Sequence, residues 1–214
     1  MTIRDNIAAD VYEKLIDYAM KHSDAVMTVW FEHDPSKPIE TVADLRRYAF
    51  EVLPDFEETP EITKRWEDIE EENRYDKACV EAEREPFIKK MAPYRIKIRY
   101  NDGPDGSAEW PSTHMVMCGS KLNLAVYGMC EELRPLLLAP DSYLSWRYPH
   151  FPEDLSFFQD NRCWLYASSH EEYIKIFPRS KEEYDTLLSL GVEIEGAYEP
   201  IDVNDLFYEE YETI

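Results

Sequence analysis

The stretch THMVMCGSKLNLAVYGM, from Thr113 to Met129, alternates apolar and polar side chains on either side of Gly119 and Ser120. A two-residue connection joins antiparallel strands only, because a parallel pair needs a crossover of about a dozen residues or more. The spacing predicts a hairpin in which Cys118 faces Lys121, Val116 faces Asn123 and His114 faces Ala125. Met115, Met117, Leu122 and Leu124 then share the apolar side. YRIKIRY (Tyr94 to Tyr100) alternates as cleanly and leads into the turn NDGPDGS. DAVMTVWFE (Asp24 to Glu32) is short, β-branched and aromatic, and stops at HDPSKP, which predicts a largely buried strand. Cys163–Ser168 and Tyr173–Phe177 are expected as strands, and Val192 with Ile194 as one edge strand.

Between these runs the period changes to that of a helix. Ile7, Val11, Leu15 and Tyr18 fall on one face of a predicted helix from about Ile3 to Lys21, with Thr2 and Asp5 at its start. A second starts at Thr41, with Asp44 three residues on and Val42, Leu45, Ala49 and Leu53 expected inward. Thr59-Pro60-Glu61 combines a cap, a proline that needs no N–H there and an acid at the positive dipole end. The helix it opens is predicted to run to about Arg84, with Ile62, Trp66 and Ile69 inside, until Pro86 breaks or kinks it. Short helices are expected within EELRPLLLAP and over Pro152–Phe158. A last one opens with the box Ser180–Glu183 and stops at Gly191.

This order predicts an α+β fold: a mostly antiparallel central sheet of about five to seven strands, helices packed on one face and a long acidic helix in the N-terminal half. Residues 1–191 are expected to form one domain, with 1–91 as a helical subdomain in the alternative, and 192–214 an acidic, aromatic C-terminal segment.

Charge then limits the partners. Asp and Glu number 45 against 23 Lys and Arg, a formal net charge of −22. Such a surface repels nucleic acid and anionic lipid and speeds encounter with basic surfaces. The expected partner is a basic protein, with no direct contact to nucleic acid or membrane. No apolar run approaches the ~20 residues of a membrane helix, and the acidic N-terminus does not resemble a signal peptide, so a cytoplasmic location is expected. Cys79, Cys118, Cys130 and Cys163 lie far apart without a C-x-x-C pair and are expected as reduced, mostly buried thiols.

No cofactor or metal motif occurs: the EF-hand loop, H-E-x-x-H and both glycine-rich phosphate loops are missing, and NDGPDG is too short for a calcium loop. A hydrolase or transferase would have to use His170, flanked by Ser168, Ser169, Glu171 and Glu172, or His114, with Tyr127 nearby across the sheet. No nucleophile elbow or cysteine-protease signature accompanies either. His150 is expected in an aromatic loop with Trp146 and Tyr148.

The candidate binding residues are acids and aromatics. Asp68, Glu72 and Asp76 form an i, i+4, i+8 row with carboxylates ~6 Å apart. The segment from Val192 to Ile214 holds eight carboxylates and no Lys or Arg. Extended, it carries one charge per roughly 9 Å, against one per about 1.7 Å of duplex DNA. Partial nucleic-acid mimicry therefore requires the row and the segment to lie side by side. Glu199, Asp202, Asp205, Phe207, Tyr208, Glu209, Glu210 and Tyr211 are the segment's candidates for contacting the basic partner, which the protein would inhibit. The bland alternative is that Leu206 and Phe207 pin the segment to the protein's own core.

Pro152-Glu153-Asp154-Leu155-Ser156-Phe157-Phe158, Cys163-Trp164-Leu165 and Ser169-His170-Glu171 follow one another within Trp146–Gly191, and Glu109–Thr113 (EWPST) precedes the predicted hairpin. In these elements the C-terminal half resembles a set of uncharacterised bacterial and phage proteins with the pattern P-E-D-L-x-F-[FY], C-W-[LF] and S-H-E. The resemblance implies no activity.

Overall fold

The computed structural model describes residues 1–3, 6–7, 9–31, 41–53, 55–96, 110–111, 122–209 and 211. Its centre is a seven-stranded sheet. The strands are β1 (Thr2–Ile3), β2 (Ala25–Phe31), β3 (Arg95–Ile96), β4 (Leu122–Gly128), β5 (Glu153–Gln159), β6 (Arg162–Ser168) and β7 (Tyr173–Ile176), in the order β1-β7-β6-β5-β2-β4-β3. Every described pairing is antiparallel, so the fold is α+β as the sequence predicts. The first strand and the turn of the predicted Gly119–Ser120 hairpin, with His114, lie outside the described residues. Its second strand is β4, flanked by β2 and β3.

Among the described residues six α-helices accompany the sheet: α1 (Ala9–His22), α2 (Val42–Val52), α3 (Pro60–Cys79), α4 (Glu85–Met91), α5 (Arg134–Leu137) and α6 (Lys181–Ser189). α1, α4, α5 and α6 cover one face, where Tyr12, Leu15, Phe87, Met91, Leu137 and Leu187 meet Phe157, Trp164 and Leu165 from the strands. The first helix begins later than predicted, because Thr2 and Ile3 pair with Lys175 and Ile174 as an edge strand. Its buried face is Tyr12, Leu15, Ile16 and Ala19, turned about one residue from the predicted stripe, while Val11 and Tyr18 are only half-buried.

The other face buries Met27, Val29, Leu124, Val126, Phe158 and Cys163, together with Tyr211 from the C-terminal segment. Leu206 is buried, and Phe207 packs edge-on against Phe158 at 6.3 Å. The Tyr211 hydroxyl donates to Asp24, and the Asn161 N–H donates to that hydroxyl at 3.2 Å. Leu206, Phe207 and Tyr211 thus tie the C-terminal segment to the protein's own sheet.

Where a short helix is predicted over Pro152–Phe158, the chain forms strand β5, Glu153–Gln159. Leu155 and Phe157 join one core, Phe158 the other, and β5 pairs with β2 on one side and β6 on the other. Burial on both faces overrides the local helix-start signal of Pro-Glu-Asp. β5 turns into β6 through Asp160 and Asn161, at φ 50° and 63°, the left-handed pair that a two-residue hairpin requires.

The predicted long helix is present with one modification. α3 passes through a π-helical turn at Val80–Arg84 into α4, whose first turn contains Pro86. The Glu85 N–H bonds to the Val80 carbonyl, and this widened turn carries the chain past a residue with no N–H to give. α2 and α3 start as predicted, at Thr41 with a complete capping box to Asp44 and at Thr59 before Pro60. Cys79 and Cys163 are buried free thiols and Cys130 is half-buried. No helix of the described residues is long and apolar enough to cross a membrane.

Leu206→Ala is expected to lower stability by about 2–5 kcal/mol in urea unfolding, as for other buried leucines. A solvated tail would instead leave the urea midpoint unchanged.

Candidate functional site

Helices α2 and α3 form an arm whose apolar surface is only partly used. Glu58 accepts both Arg46 Nε (2.8 Å) and Nη2 (2.7 Å) and the Thr63 hydroxyl (2.6 Å), which holds its carboxyl well down, to about 2. Phe56 stacks on Trp66 at 5.8 Å and meets Phe50 edge-on at 5.3 Å. The Val42 N–H donates to Glu70 at 2.7 Å. The two helices are therefore fixed to each other. Yet none of α2 is buried, and Cys79 is the one buried residue of α3. Tyr48, Phe50, Val52 and Leu53 are 66, 50, 53 and 54% exposed.

Leu53, predicted inward, thus points to solvent, and Val42, Leu45 and Ala49 are half-buried. The signal was present in the sequence: at 100° per residue Val42, Leu45, Tyr48, Phe50, Val52 and Leu53 spread over roughly 200° of the helix, wider than a single buried stripe.

The arm's acids are only partly answered. Lys64 bonds Asp68 at 2.8 Å, so the Asp68, Glu72, Asp76 row has a cation at its head. Arg74 pairs with Glu70 and Arg47 with Asp44. Glu51, Asp55, Glu57, Glu61, Glu71 and Glu72 make no ion pair among the described residues.

At its root the arm meets the loop that enters β5. Arg84 is only 2% exposed, and its guanidinium lies 4.9 Å from the Tyr148 ring. Burial lowers its pKa, and the charges of Glu153 and Asp76 oppose that. Asp76 is pushed up by burial despite its hydrogen bond with the Tyr148 hydroxyl. Glu153 is pushed up by burial and by the neighbouring Asp154 carboxylate.

Asp154 is 1% exposed and holds φ at +56°, a left-handed conformation that Asp tolerates better than most residues. Its Oδ2 accepts the Trp110 indole N–H at 2.9 Å and its Oδ1 the Ser169 N–H at 2.8 Å. His170, the sequence's catalytic candidate, lies in the β6–β7 turn with its ligand atom within 4.8 Å of those of Glu153 and Asp154. The Ser168 hydroxyl donates to Glu171 at 3.2 Å. Ser169 is fully buried, so its hydroxyl is closed to any substrate carbonyl. A second group with metal-ligand chemistry, Cys79, Glu83 and His150, lies at the same root.

The C-terminal candidates sit elsewhere. Glu199, Asp202 and Asp205 are exposed. Tyr208 lies under the Arg162 guanidinium at 4.5 Å, and Glu209 is buried, its N–H donating to the Asn161 carbonyl at 3.0 Å. Phe207 and Tyr211 pack against the sheet, and Glu210 lies outside the described residues. The segment is held by Asn161, Arg162 and Asp24, whereas α3 is held at the loop before β5. These contacts do not bring the two acidic rows together. Compared with protein-family models, curated proteins and solved structures, the chain matches none.

Because the folded-state pKa of Glu153 is raised, the native protein binds the extra proton between the unfolded and folded values, and stability falls as pH rises through that window. Glu153→Gln is expected to raise the urea midpoint at neutral pH, with the gain vanishing below the ordinary carboxyl value of about 4.3. Asp154→Asn tolerates the backbone but turns its amide against one N–H. It is expected to cost about 1–3 kcal/mol.

Proposed function

We propose that the protein is an acidic binding protein that docks on a basic protein through the α2–α3 arm and blocks the surface it covers. The observation that carries this reading is the exposure of Tyr48, Phe50, Val52 and Leu53 on an arm where, among the described residues, Glu51, Asp55, Glu57 and Glu61 make no ion pair. Large apolar side chains on a charged surface mark interaction sites, and aromatic anchors contribute most of the energy in such contacts. The carboxylates steer a positive partner inward, and the apolar group resists dissociation. Carboxylates ~6 Å apart along α3 are too sparse to copy a phosphate backbone, so the apolar group supplies what charge density does not. The arm's internal pairs and ring stack keep it ordered before binding, which spares the entropy of folding onto the partner.

A small hydrolase or transferase is the second reading, favoured by His170 beside Glu153 and Asp154. The burial of Ser169 removes the hydroxyl next to it as a nucleophile.

The protein and a Tyr48→Ser, Leu53→Ser double variant, used as baits in an extract of the native host, separate these readings. A basic protein should be retained by the first bait, eluted by salt and lost at least tenfold with the variant. Identical retention by both baits, or a complex indifferent to salt, contradicts the proposal. Loss of the cellular effect in a folded His170→Ala variant favours the enzyme.

A further inference from the structure

Two groups of side chains at the arm's root have the chemistry of metal ligands. In one, Glu153, Asp154 and His170, both Asp154 oxygens already accept N–H groups, from Trp110 and Ser169. In the other, Cys79 and Glu83 stand four residues apart where α3 passes into the π-helical turn, and His150 reaches them from the loop before β5. We propose that Cys79, Glu83 and His150 form a binding site for a divalent transition metal of borderline softness, zinc foremost, with a fourth position open to water.

The donor set selects the metal. A thiolate with an imidazole and one carboxylate suits zinc and its neighbours, whereas magnesium and calcium take oxygen ligands. The three ligand atoms lie within 4.8 Å of one another. Zinc bonds of about 2.0–2.3 Å place tetrahedral donors roughly 3.3–3.6 Å apart. His150 Nδ1 and Glu83 Oε2, now 2.5 Å apart, must therefore separate by about 1 Å. Both side chains are partly exposed, at 38 and 55%, and free to make that adjustment. Cys79 is buried while the other two donors are partly exposed, so the ion would lie between the helix and the loop with its open position on the solvent side.

The surroundings fit a cation. Tyr75 hydrogen-bonds the Cys79 sulfur, and its ring meets the His150 ring edge-on at 6.2 Å. Asp76 adds negative charge close to His150. Binding exchanges the His150–Glu83 contact for bonds to the metal and releases the Cys79 thiol proton, so affinity rises with pH. The ion would cross-link α3 to the loop that enters β5 and raise the stability of the whole chain by mass action.

The test is a titration of the full chain with Co²⁺ and then Zn²⁺, under reducing conditions after treatment with a chelator. One equivalent of Co²⁺ should produce a thiolate-to-cobalt charge-transfer band in the near ultraviolet that Zn²⁺ abolishes, and Zn²⁺ should raise Tm. Cys79→Ser should lose the band, and His150→Gln should weaken binding at least tenfold. If Cys79→Ser does not fold, His150→Gln decides alone: unchanged affinity overturns the site. A protein that gives no band, a band that survives Cys79→Ser, or binding lost instead in His170→Ala also overturns it.

Discussion

The carboxylate of Asp154 ties together three separated pieces of the chain. It accepts an indole N–H from the segment before β4 and a backbone N–H from the β6–β7 turn, while its own left-handed backbone aims β5 into the sheet. A buried carboxylate is costly without partners, and charge-assisted hydrogen bonds to N–H groups offset that cost. Once β5 is aimed in this way it takes the central place in the sheet order, with helices over one face and the C-terminal segment over the other. The loop just before it meets the root of the arm, where Arg84 is buried under Tyr148.

Elements whose cause is local were legible in the sequence. Thr41 with Asp44, Thr59 with Pro60 and Ser180 with Glu183 mark helix starts through side chains that reach only their own first turn. β6 and β7 alternate or carry β-branched and aromatic residues, and they appear nearly as expected. Elements decided at long range were not legible. Thr2 and Ile3 join the far edge of the sheet, so the first helix starts late. Pro152-Glu153-Asp154 reads locally as a helix start, but the strands on both sides and cores on both faces decide otherwise. The Asp160-Asn161 turn was the local clue to that hairpin.

The candidate sites divide along the same line. His170 was visible as an isolated residue, but Glu153 and Asp154 reach it only through the pairing of β5 with β6. Cys79, Glu83 and His150 match no linear motif because the loop carrying His150 is distant in sequence from the helix. Phe207 and Tyr211, read as anchors for a partner, serve the protein's own sheet, because folding back covers Phe158 and Cys163. The aromatic and aliphatic side chains left exposed are instead on the arm, beside carboxylates of which only some are paired among the described residues.

That division of labour, a body closed on itself and an arm left open, is the central claim. Amide hydrogen exchange of the protein alone and in complex with a basic protein captured as proposed above tests it most directly. The account predicts added protection across residues 41–76, with exchange over 199–211 and the β6–β7 turn unchanged. Protection confined to the C-terminal segment or to the turn that carries His170, with the arm exchanging as before, would contradict it.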